Sequence, residues 1–341
     1  MSKTVLVTGG AGFIGSHACK ALARAGYRPV AYDNLSHGHR EAVGWGPLVE
    51  ADLGDAKALD GAFRRFDVAA VMHFAGSISV GESLLRPGHY FHNNVATMLT
   101  LLEAMVARDV RRIVFSSSAA TYGNPEQMPI AESAPQLPVN PYGESKLMGE
   151  RMLHWFERAH ELSYASLRYF NAAGADPDGE LGEAHEPETH LIPLVLDVAL
   201  GRRERIEVFG SDYPTPDGTP IRDYIHVQDL ADAHLKALER LLDGGSSVTL
   251  NLGTGAGHSV REVIATAERV TGNKIAWRAS ARRAGDPAIL VADPSRSRAV
   301  LQWTPAISDL ATIIATALRP RVDGFTGLGQ DKSAHPSRKS P

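Results

Sequence analysis

The sequence predicts a mixed α/β protein in which a doubly wound parallel β-sheet is followed by a smaller C-terminal α/β domain. In the first half, short runs rich in β-branched residues alternate with longer segments whose apolar residues have helical spacing. The first run leads into a glycine-rich loop and then into a helical pattern. From about residue 171 the chain becomes richer in proline, glycine and charged residues, which indicates a second unit.

The first part of the chain is expected to hold five strands with four helices between them. The strands are predicted at Thr4 to Thr8, Pro29 to Asp33, Val68 to Phe74, Ile113 to Ser117 and Ala165 to Tyr169. The helices are predicted at Phe13 to Gly26, Ala56 to Phe66, Tyr90 to Arg108 and Pro141 to Glu161. Right-handed crossovers between parallel strands would then place helices on both faces of the sheet.

The domain boundaries are predicted from the same pattern. Residues 1–170 form the first domain and residues 171–319 mainly form the second. Val248 to Leu252 has the pattern of another buried strand, so residues of about 222–255 are expected to rejoin the first domain. Residues 320–341 lack apolar periodicity and are expected to be a disordered tail.

The composition excludes several classes of protein. The 341 residues are 43% apolar and 22% charged, with a formal charge of -4, so no general basic field exists to attract nucleic acid or a membrane. Cys19 is the only cysteine, which excludes an intramolecular disulfide and fits a reducing compartment. The first residues lack the pattern of a secretory signal, and cytoplasmic residence is expected.

The glycine loop after the first strand predicts a dinucleotide site. Its glycines have the spacing Gly9-x-x-Gly12-x-x-Gly15, with Phe13 and Ile14 beginning the next helical pattern. Glycines at this place permit a tight turn and let backbone N–H groups approach a pyrophosphate at the helix N-terminus. The loop and the alternating pattern together predict a Rossmann-type domain.

Asp33, at the end of the second strand, indicates which dinucleotide is bound. A carboxylate there accepts hydrogen bonds from the adenosine ribose and repels a 2′-phosphate, which favours NAD over NADP. The cationic or titratable residues His37, His39 and Arg40 follow closely and weaken this preference slightly. NAD is therefore the expected cofactor.

Tyr142 and Lys146 form the candidate catalytic pair. They are four residues apart, on one face of a helix that Asn140 can cap and Pro141 can begin. A neighbouring ammonium and a nicotinamide cation would both stabilise the phenolate and lower the pKa of Tyr142 toward neutrality. The helix follows the strand that ends at Ser118, whose carboxyl end would face the same crevice.

These motifs resemble the extended short-chain dehydrogenase/reductase family. The segments that resemble its UDP-glucose (UDP-galactose) 4-epimerase branch are Asp33-Asn34-Leu35, His73-Phe74-Ala75-Gly76, Gly81-Glu82-Ser83, Asn93-Asn94-Val95, Tyr169-Phe170-Asn171 and Arg222-Asp223-Tyr224-Ile225-His226-Val227. The resemblance extends from about residue 4 to about residue 310. It implies a homodimer held by the helices Tyr90 to Arg108 and Pro141 to Glu161 of each subunit.

The resemblance also implies roles for individual residues. Tyr142 would remove the proton of the sugar 4-hydroxyl, Ser118 would hydrogen-bond that hydroxyl, and Lys146 would hold the nicotinamide ribose. Besides Gly15, Tyr142 and Lys146, the residues implied to line the cofactor are Gly9, Gly12, Phe13, Ile14, Asp33, Asn34, Asp52, Leu53, Phe74, Ala75, Asn93, Ser116 and Phe170.

A UDP-sugar carries two phosphate charges, for which arginines are suited. Arg222 and Arg283 are the candidates, with Asn171 at the diphosphate and Asp286 at the ribose hydroxyls by resemblance. Phe209 would lie against the uracil ring. His190 stands where many relatives have asparagine, and it can still donate to phosphate.

Two further departures from the family pattern affect cofactor contact and specificity. Ile78 stands where well-known bacterial relatives have a lysine, which leaves a cofactor contact there in doubt. Leu290 replaces a bulky tyrosine that restricts some members to hexoses without an N-acetyl group, so a roomier sugar pocket is expected.

The implied reaction oxidises the sugar at C4 to a 4-keto sugar, which turns over and is reduced on its opposite face. A 4,6-dehydratase is disfavoured because Ser118-Ala119-Ala120-Thr121 lacks the Asp-Glu pair that elimination needs. Epimerisation of a UDP-pentose or a UDP-N-acetylhexosamine stays open, as does a non-catalytic NAD-sensing module. The histidines show no HExxH or paired-ligand spacing, so no metal is expected.

Overall fold

The computed structural model describes residues 2–283 and 286–323. Its strands, in chain order, are β1 Thr4–Thr8, β2 Arg28–Asp33, β3 Leu48–Glu50, β4 Val68–His73, β5 Arg112–Ser118, β6 Ser163–Tyr169, β7 Asn171–Ala173, β8 Ile206–Phe209, β9 Ile221–Arg222, β10 Tyr224–His226, β11 Val248–Leu252, β12 His258–Ser259, β13 Trp277–Ser280 and β14 Ile289–Leu290. Its α-helices are α1 Phe13–Arg24, α2 Ala56–Phe66, α3 Val80–Leu85, α4 Pro87–Tyr90, α5 Thr97–Ala107, α6 Pro141–His160, α7 Leu191–Ala199, α8 Val227–Leu242, α9 Val260–Thr271, α10 Ser295–Leu301 and α11 Leu310–Asp323.

Seven parallel strands form the central sheet, in the order β11-β6-β5-β4-β1-β2-β3. The chain builds outward from β1 to β3 and then returns to β4 on the other side of β1. The switch point between β1 and β4 opens a crevice at the carboxyl ends of these strands, where ligands bind in open α/β sheets. The predicted fold class, a doubly wound Rossmann-type sheet, is confirmed.

Alternate residues of β1 pack on opposite faces of the sheet, as strand geometry requires. Val5 and Val7 join the core beneath α1 and α8, whereas Leu6 joins the core beneath α2, α5 and α6. Each fully buried valine or leucine contributes about 1.5–3 kcal/mol relative to an exposed one. The two apolar layers therefore hold the carboxyl edge of the sheet, and every side chain on it, in a fixed frame.

The strand β11 extends the central sheet from far along the chain. It pairs with β6 in parallel register, with Val248 opposite Ala165 and Leu252 opposite Tyr169. It is reached through α8, which packs against α1 on the same face. Residues of the later part of the sequence thus complete the first sheet.

The rest of the later sequence surrounds a third apolar core. Helices α7, α9 and α11 contribute Leu196, Val263 and Ile313 to it, all fully buried. Three small sheets lie beside this core: β10 with β7, β13 with β8, and β12-β9-β14. The strand β7 follows β6 after one residue, so it carries the chain from the central sheet to the third core.

The structure differs from the sequence-based expectations at three places. The helix expected from Tyr90 begins earlier, with α4 at Pro87, and passes through a π-helical turn at Phe91–Ala96 before α5. The edge strand β3 was not predicted because it has only three residues, none of them fully buried. The helix α11 continues to Asp323, into the stretch expected to be a tail, and residues 324–341 lie outside the described residues.

None of the helices formed by residues 2–283 and 286–323 combines the length and apolar character needed to span a bilayer.

Candidate active site

The glycine loop leaves no room for larger side chains at several positions, of which Gly9 and Gly15 are examples. Gly9 has φ +73°, and a Cβ there would lie 2.6 Å from the backbone nitrogen of Ala75. A Cβ on Gly15 would lie 2.1 Å from the carbonyl oxygen of Gly9. Gly12 is the N-cap of α1 and donates its backbone N–H to Gly9 O at 3.1 Å. The loop is thus tightly folded, with the N-terminus of α1 at the switch point.

Asp33 lies where β2 ends and is held by two backbone groups. Its Oδ2 accepts a hydrogen bond from Ala11 N at 3.0 Å, and its Oδ1 accepts one from Leu35 N at 2.9 Å. Beside it, Asn34 Nδ2 donates to Asp52 Oδ2 at 2.8 Å. The carboxylate of Asp33 therefore stands next to the glycine loop in a defined orientation.

The other residues expected to line the cofactor fall into two groups. Phe74 and Ala75 follow β4 and donate their backbone N–H groups to Thr8 O, at 2.9 and 3.1 Å, which places them against the glycine loop. The remaining expected residues have packing or hydrogen-bonding roles of their own. Ile14 and Leu53 pack into the two sheet cores, Phe170 packs against the cluster that contains Tyr122, and Asn93 Nδ2 donates to Ser77 Oγ at 3.1 Å.

The candidate catalytic residues meet at the carboxyl end of β5. Asn140 caps α6 by accepting a hydrogen bond from Gly143 N at 2.9 Å, and Pro141 occupies the first turn. This start presents Tyr142 toward Ser118, to which its hydroxyl is hydrogen-bonded. One turn later, the ammonium of Lys146 lies 6.0 Å from the centre of the Tyr142 ring.

The electrostatics of this group differ from the expectation. Burial raises the pKa of Tyr142, and the hydrogen bond with Ser118 offsets only part of that rise. Burial lowers the pKa of Lys146 to about 8. The expected depression of the Tyr142 pKa is thus not produced by the protein alone, because desolvation of the phenolate outweighs the contributions of its neighbours.

Two residues beside this group belong to segments that carry the family resemblance, but no role of their own was expected from the sequence. Tyr169 ends β6 and its hydroxyl is hydrogen-bonded to Ser116 Oγ, while burial and then the charge of a Tyr142 phenolate raise its own pKa. His73 ends β4 and its Nδ1 lies 2.7 Å from Thr8 Oγ1. Burial, followed by the charge of Lys146, lowers the pKa of His73 to about 3, so this imidazole is neutral.

A buried ion pair joins the catalytic helix α6 to the central sheet. Arg168 on β6 donates to both carboxylate oxygens of Glu150 on α6, at 2.8 and 2.6 Å, and Ser117 Oγ donates to Glu150 Oε1 at 2.5 Å. Glu150 lies one helical turn after Lys146. The pair therefore joins α6 to β5 and β6 next to the reactive side chains.

The residues expected to bind the nucleotide form two pairs. The guanidinium of Arg222, on β9, pairs with the carboxylate of Asp286 and also donates to Pro287 O at 2.9 Å. The guanidinium of Arg283 lies 4.1 Å from the centre of the Phe209 ring, at the end of β8. Asn171 begins β7 and donates its backbone N–H to Asp223 O at 3.1 Å.

Leu290 connects the nucleotide side to the catalytic side. It pairs with Arg222 in the register of β14 with β9. Its side chain packs, together with Phe170, against the cluster of Ala119, Tyr122 and Ile130, just after Ser118. The two groups of predicted residues thus belong to one continuous region.

His190 is held by carboxylates. Its Nδ1 lies 2.8 Å from Glu183 Oε1 and 3.0 Å from Glu188 Oε1, and His185 Nδ1 lies 3.1 Å from the same Glu183 oxygen. Burial would lower the pKa of His190, but the two carboxylates outweigh it and raise that pKa. The single ring nitrogen left outside these pairs is the one available to a phosphate.

Comparison with known proteins agrees with this geometry. The model of the NAD dependent epimerase/dehydratase family matches residues 5–253. The UDP-glucose 4-epimerase of Rhizobium leguminosarum bv. trifolii is 51% identical over 315 residues, which cover 92% of this chain and 96% of the relative.

Two solved structures are similar over nearly the whole chain. The UDP-glucose 4-epimerase of Brucella ovis in complex with NAD is 51% identical, with a TM-score of 0.91, and the match covers 93% of this chain and 98% of that one. The UDP-glucose 4-epimerase of Stenotrophomonas maltophila with NAD and formylated UDP-arabinopyranose is 41% identical, with a TM-score of 0.90 and coverage of 93% and 97%.

Proposed function

This chain belongs to the NAD dependent epimerase/dehydratase family, and from that membership we propose that it interconverts UDP-glucose and UDP-galactose by inverting carbon 4. The observation that carries the proposal is the hydrogen-bonded pair of Ser118 and Tyr142, with the buried ammonium of Lys146 one helical turn away. This group stands at the carboxyl ends of β4 and β5, beside the glycine loop, where a nicotinamide and a sugar can meet.

The residues at the switch point fit NAD. Gly9 and Gly15 permit the close backbone approach that a pyrophosphate needs, and the free N–H groups of the first turn of α1 face it. Asp33 is oriented to accept hydrogen bonds from the adenosine ribose, with Asn34 and Asp52 beside it. When bound, NAD supplies the acceptor for the C4 hydrogen and returns it to the opposite face.

The protein's own contribution to the reaction is proton transfer and positioning. Tyr142 accepts the proton of the 4-hydroxyl as C4 is oxidised to the ketone, and gives that proton back when C4 is reduced. Ser118 hydrogen-bonds both the phenol and the sugar hydroxyl, and so aligns them. Lys146 places a positive charge near the phenolate that forms, since its ammonium is charged below about pH 8.

The later part of the chain is proposed to hold the nucleotide while the sugar turns. Arg222 and Arg283, with Asn171 and His190, supply donors for the diphosphate. Asp286 accepts from the uridine ribose, and Phe209 lies against the uracil. In this scheme residues 1–170, with about 222–255, bind the cofactor, and residues 171–319 mainly bind the nucleotide sugar.

The test is the conversion of UDP-galactose to UDP-glucose by the purified protein with its bound NAD, followed by separation of the two sugars. The expected result is an equilibrium mixture reached from either direction. Tyr142→Phe is expected to bind NAD equally well and to convert neither sugar. Absence of conversion by the NAD-loaded wild-type protein would refute the proposal. If the wild type and Tyr142→Phe both bind NAD and neither converts the sugars, an NAD-sensing module would be favoured.

Leu290 favours a second candidate, the 4-epimerisation of UDP-N-acetylhexosamines. Its side chain is shorter than tyrosine and packs, as Phe170 does, against the cluster that contains Tyr122. A pentose substrate is also a candidate, because the Stenotrophomonas relative was crystallised with formylated UDP-arabinopyranose. Parallel incubations with UDP-N-acetylgalactosamine and UDP-arabinose distinguish these from a strict hexose epimerase.

We also propose that the protein is a cytoplasmic homodimer. Three large apolar side chains on the two helical segments after Pro87 and Pro141 are exposed: Phe91, Leu99 and Trp155. A second copy of the chain would cover them by packing the same helices together. Light scattering on the eluting protein is expected to give twice the chain mass, and Leu99→Asp with Trp155→Glu to give a monomer. The single cysteine, Cys19, is buried and unpaired, which supports a reducing compartment.

A further inference from the structure

Four side chains with metal-ligating atoms meet in the segment between Gly182 and α7. They are Glu183, His185, Glu188 and His190, and one ligand atom from each lies within 4.8 Å of the others. No metal was expected from the sequence, because the spacing E-x-H-x-x-E-x-H differs from that of HExxH and does not place the ligands on one face of a helix. The backbone of an irregular segment is what brings these atoms together.

The distances within the cluster are close to those around a tetrahedral ion. Zn²⁺ binds nitrogen and oxygen at about 2.0–2.2 Å, which places neighbouring ligands about 3.3–3.5 Å apart. Here Glu183 Oε1 lies 2.8 Å from His190 Nδ1 and 3.1 Å from His185 Nδ1, and Glu188 Oε1 lies 3.0 Å from His190 Nδ1. Side-chain rotations that open these pairs by a few tenths of an ångström would admit the ion.

Burial and charge also suit a cation. The carboxylate of Glu183 is 7% exposed, whereas His190 is 39% exposed and leaves an approach from solvent. Among the described residues, Glu188 Oε2 is buried without a hydrogen-bond partner, and it forms an ion pair with the guanidinium of Arg321 at 3.7 Å. The two carboxylates raise the pKa of His190 to about 10, so Zn²⁺ would have to displace the proton of that ring, because a metal-ligating imidazole is neutral.

A second cluster in the same part of the chain shows the contrast. Asp176, Asp178 and Glu180 also converge, but the ammonium of Lys20 lies among them at 2.6, 3.0 and 2.6 Å. That cluster already has its cation. The cluster around Glu183 has two imidazoles in place of a lysine, and imidazole is a ligand for transition metals rather than for Mg²⁺ or Ca²⁺.

The segment that carries the cluster crosses the glycine loop. The ring of His185 stands edge-on to that of Phe13, with centres 6.4 Å apart. One residue away, Ala184 O lies 2.7 Å from His39 Nε2. Gly12 and Gly182 line the same small cavity between the two segments. An ion bound by the cluster would therefore hold this segment in place across the glycine loop.

We propose that Glu183, His185, Glu188 and His190 bind one Zn²⁺, which fastens this segment across the glycine loop. The site is structural, since all four coordination positions are filled by protein. It takes no part in the proton transfer proposed above, although it shares His190 with the proposed diphosphate site, and its test does not use turnover.

The experiment is a calorimetric titration of the full-length, tag-free protein with ZnCl₂ in a non-chelating buffer. One Zn²⁺ per chain is expected, with no binding of Mg²⁺ at the same concentrations. Replacement by Co²⁺ should give the intense visible absorption of a tetrahedral ion. A wild-type protein that binds no Zn²⁺ would overturn the proposal and leave the four side chains as an ion-pair network.

Variants locate the ion. His185→Asn with His190→Asn is expected to weaken Zn²⁺ binding by at least about 100-fold, beyond the loss from removing an outer-shell partner. His154→Asn, exposed on α6, is the matched control and should bind as the wild type does. Unchanged affinity in the double variant would overturn the assignment. Should that variant not fold, the anomalous signal of a zinc-soaked wild-type crystal decides, because a peak away from these four residues refutes the site.

Hydrogen exchange tests whether bound Zn²⁺ restrains the segment that crosses the glycine loop. Zn²⁺ is expected to slow amide exchange in residues 182–190 of the wild type and to leave the double variant unchanged. Equal exchange with and without Zn²⁺ in the wild type would overturn this part of the proposal.

Discussion

The ammonium of Lys146 donates a hydrogen bond of 2.9 Å to the backbone carbonyl of Ser116, which joins the catalytic helix to the end of β5. The same ammonium is 4% exposed and lies 5.2 Å from the centre of the Phe115 ring. Its charge is therefore kept in an environment that disfavours charge.

Lys146→Met should abolish turnover and stabilise the fold. Burial holds the pKa of Lys146 at about 8 against an ordinary 10.5, so the folded state binds the proton more weakly than the unfolded state. The loss of folding free energy from burying the charged ammonium is complete below pH 8, and it shrinks as pH rises toward 10.5. The variant should gain on the order of 1–3 kcal/mol at pH 7 in the absence of ligand. Urea unfolding at pH 7 and at pH 10 measures this, and a gain that does not shrink at the higher pH contradicts it.

Ser118→Ala should slow catalysis more than it weakens binding. The variant loses the hydrogen bond that aligns Tyr142 with the sugar hydroxyl, and a bond to a charged group contributes about 1.5–3 kcal/mol. The expected loss is roughly 10- to 100-fold in kcat, with little change in KM or in bound NAD. A rise in KM alone would show that Ser118 only binds the substrate.

Glu150→Gln should destabilise the protein by about 3–5 kcal/mol, because it leaves the buried charge of Arg168 without its partner. Burial acts to raise the pKa of Glu150, but the bonds and charge of Arg168 outweigh it, so the carboxylate is ionised. Glu150→Gln combined with Arg168→Met should recover much of the loss. Asp60→Asn, which weakens partly exposed pairs with Arg64 and Arg108, is the control and should change the free energy of unfolding by less than about 1 kcal/mol. Denaturant unfolding of the four proteins decides between these outcomes.

Gly15→Ala and Gly61→Ala should have opposite effects. A methyl group at Gly15 meets the carbonyl oxygen of Gly9 at 2.1 Å, so the glycine loop must move and bound NAD should be lost. Gly61, within α2, has nothing within 4 Å of such a methyl group, and alanine there should stabilise the helix by up to about 1 kcal/mol. Absorbance of the released cofactor and thermal unfolding measure the two effects. Retention of NAD by Gly15→Ala would contradict the role of the loop.

Leu290→Tyr should narrow the range of substrates. A larger ring at this position, beside the cluster that contains Tyr122, takes up the space proposed for an N-acetyl group. The wild type is expected to convert UDP-N-acetylglucosamine, and the variant to convert only UDP-glucose and UDP-galactose. Product separation after equal incubations tests this, and a wild type inactive on the N-acetyl sugar removes the idea.

The sequence predicted the sheet and the meeting of Ser118 with Tyr142 because both depend on local pattern. Parallel strands place their carboxyl ends together, and a capped helix start presents the residue that follows Pro141. The pair of Glu150 and Arg168 could not be predicted in this way. A charged residue in a helix has the pattern of a solvated face, and its burial arises only when α6, β5 and β6 meet.

The cluster around His190 escaped prediction for a different reason. Its four ligand atoms belong to a segment without helix or strand, so no periodicity places them on one side. His190 was expected at the diphosphate from its place in the family pattern. The structure adds that one of its ring nitrogens is already engaged by Glu183 and Glu188.

Because β11 joins the central sheet from late in the sequence, the sheet is completed only late in synthesis and is missing a strand in any short N-terminal fragment. Until the ribosome has released residues 248–252, β6 is an unpaired apolar edge, and until α8 has formed, one face of the sheet is open. Pairing between such distant segments is slow compared with local folding. A gene fragment ending at residue 170 therefore encodes an incomplete sheet that is prone to aggregation. Residues 1–170 cannot be transferred to another protein as an independent domain, because they lack α8 and β11.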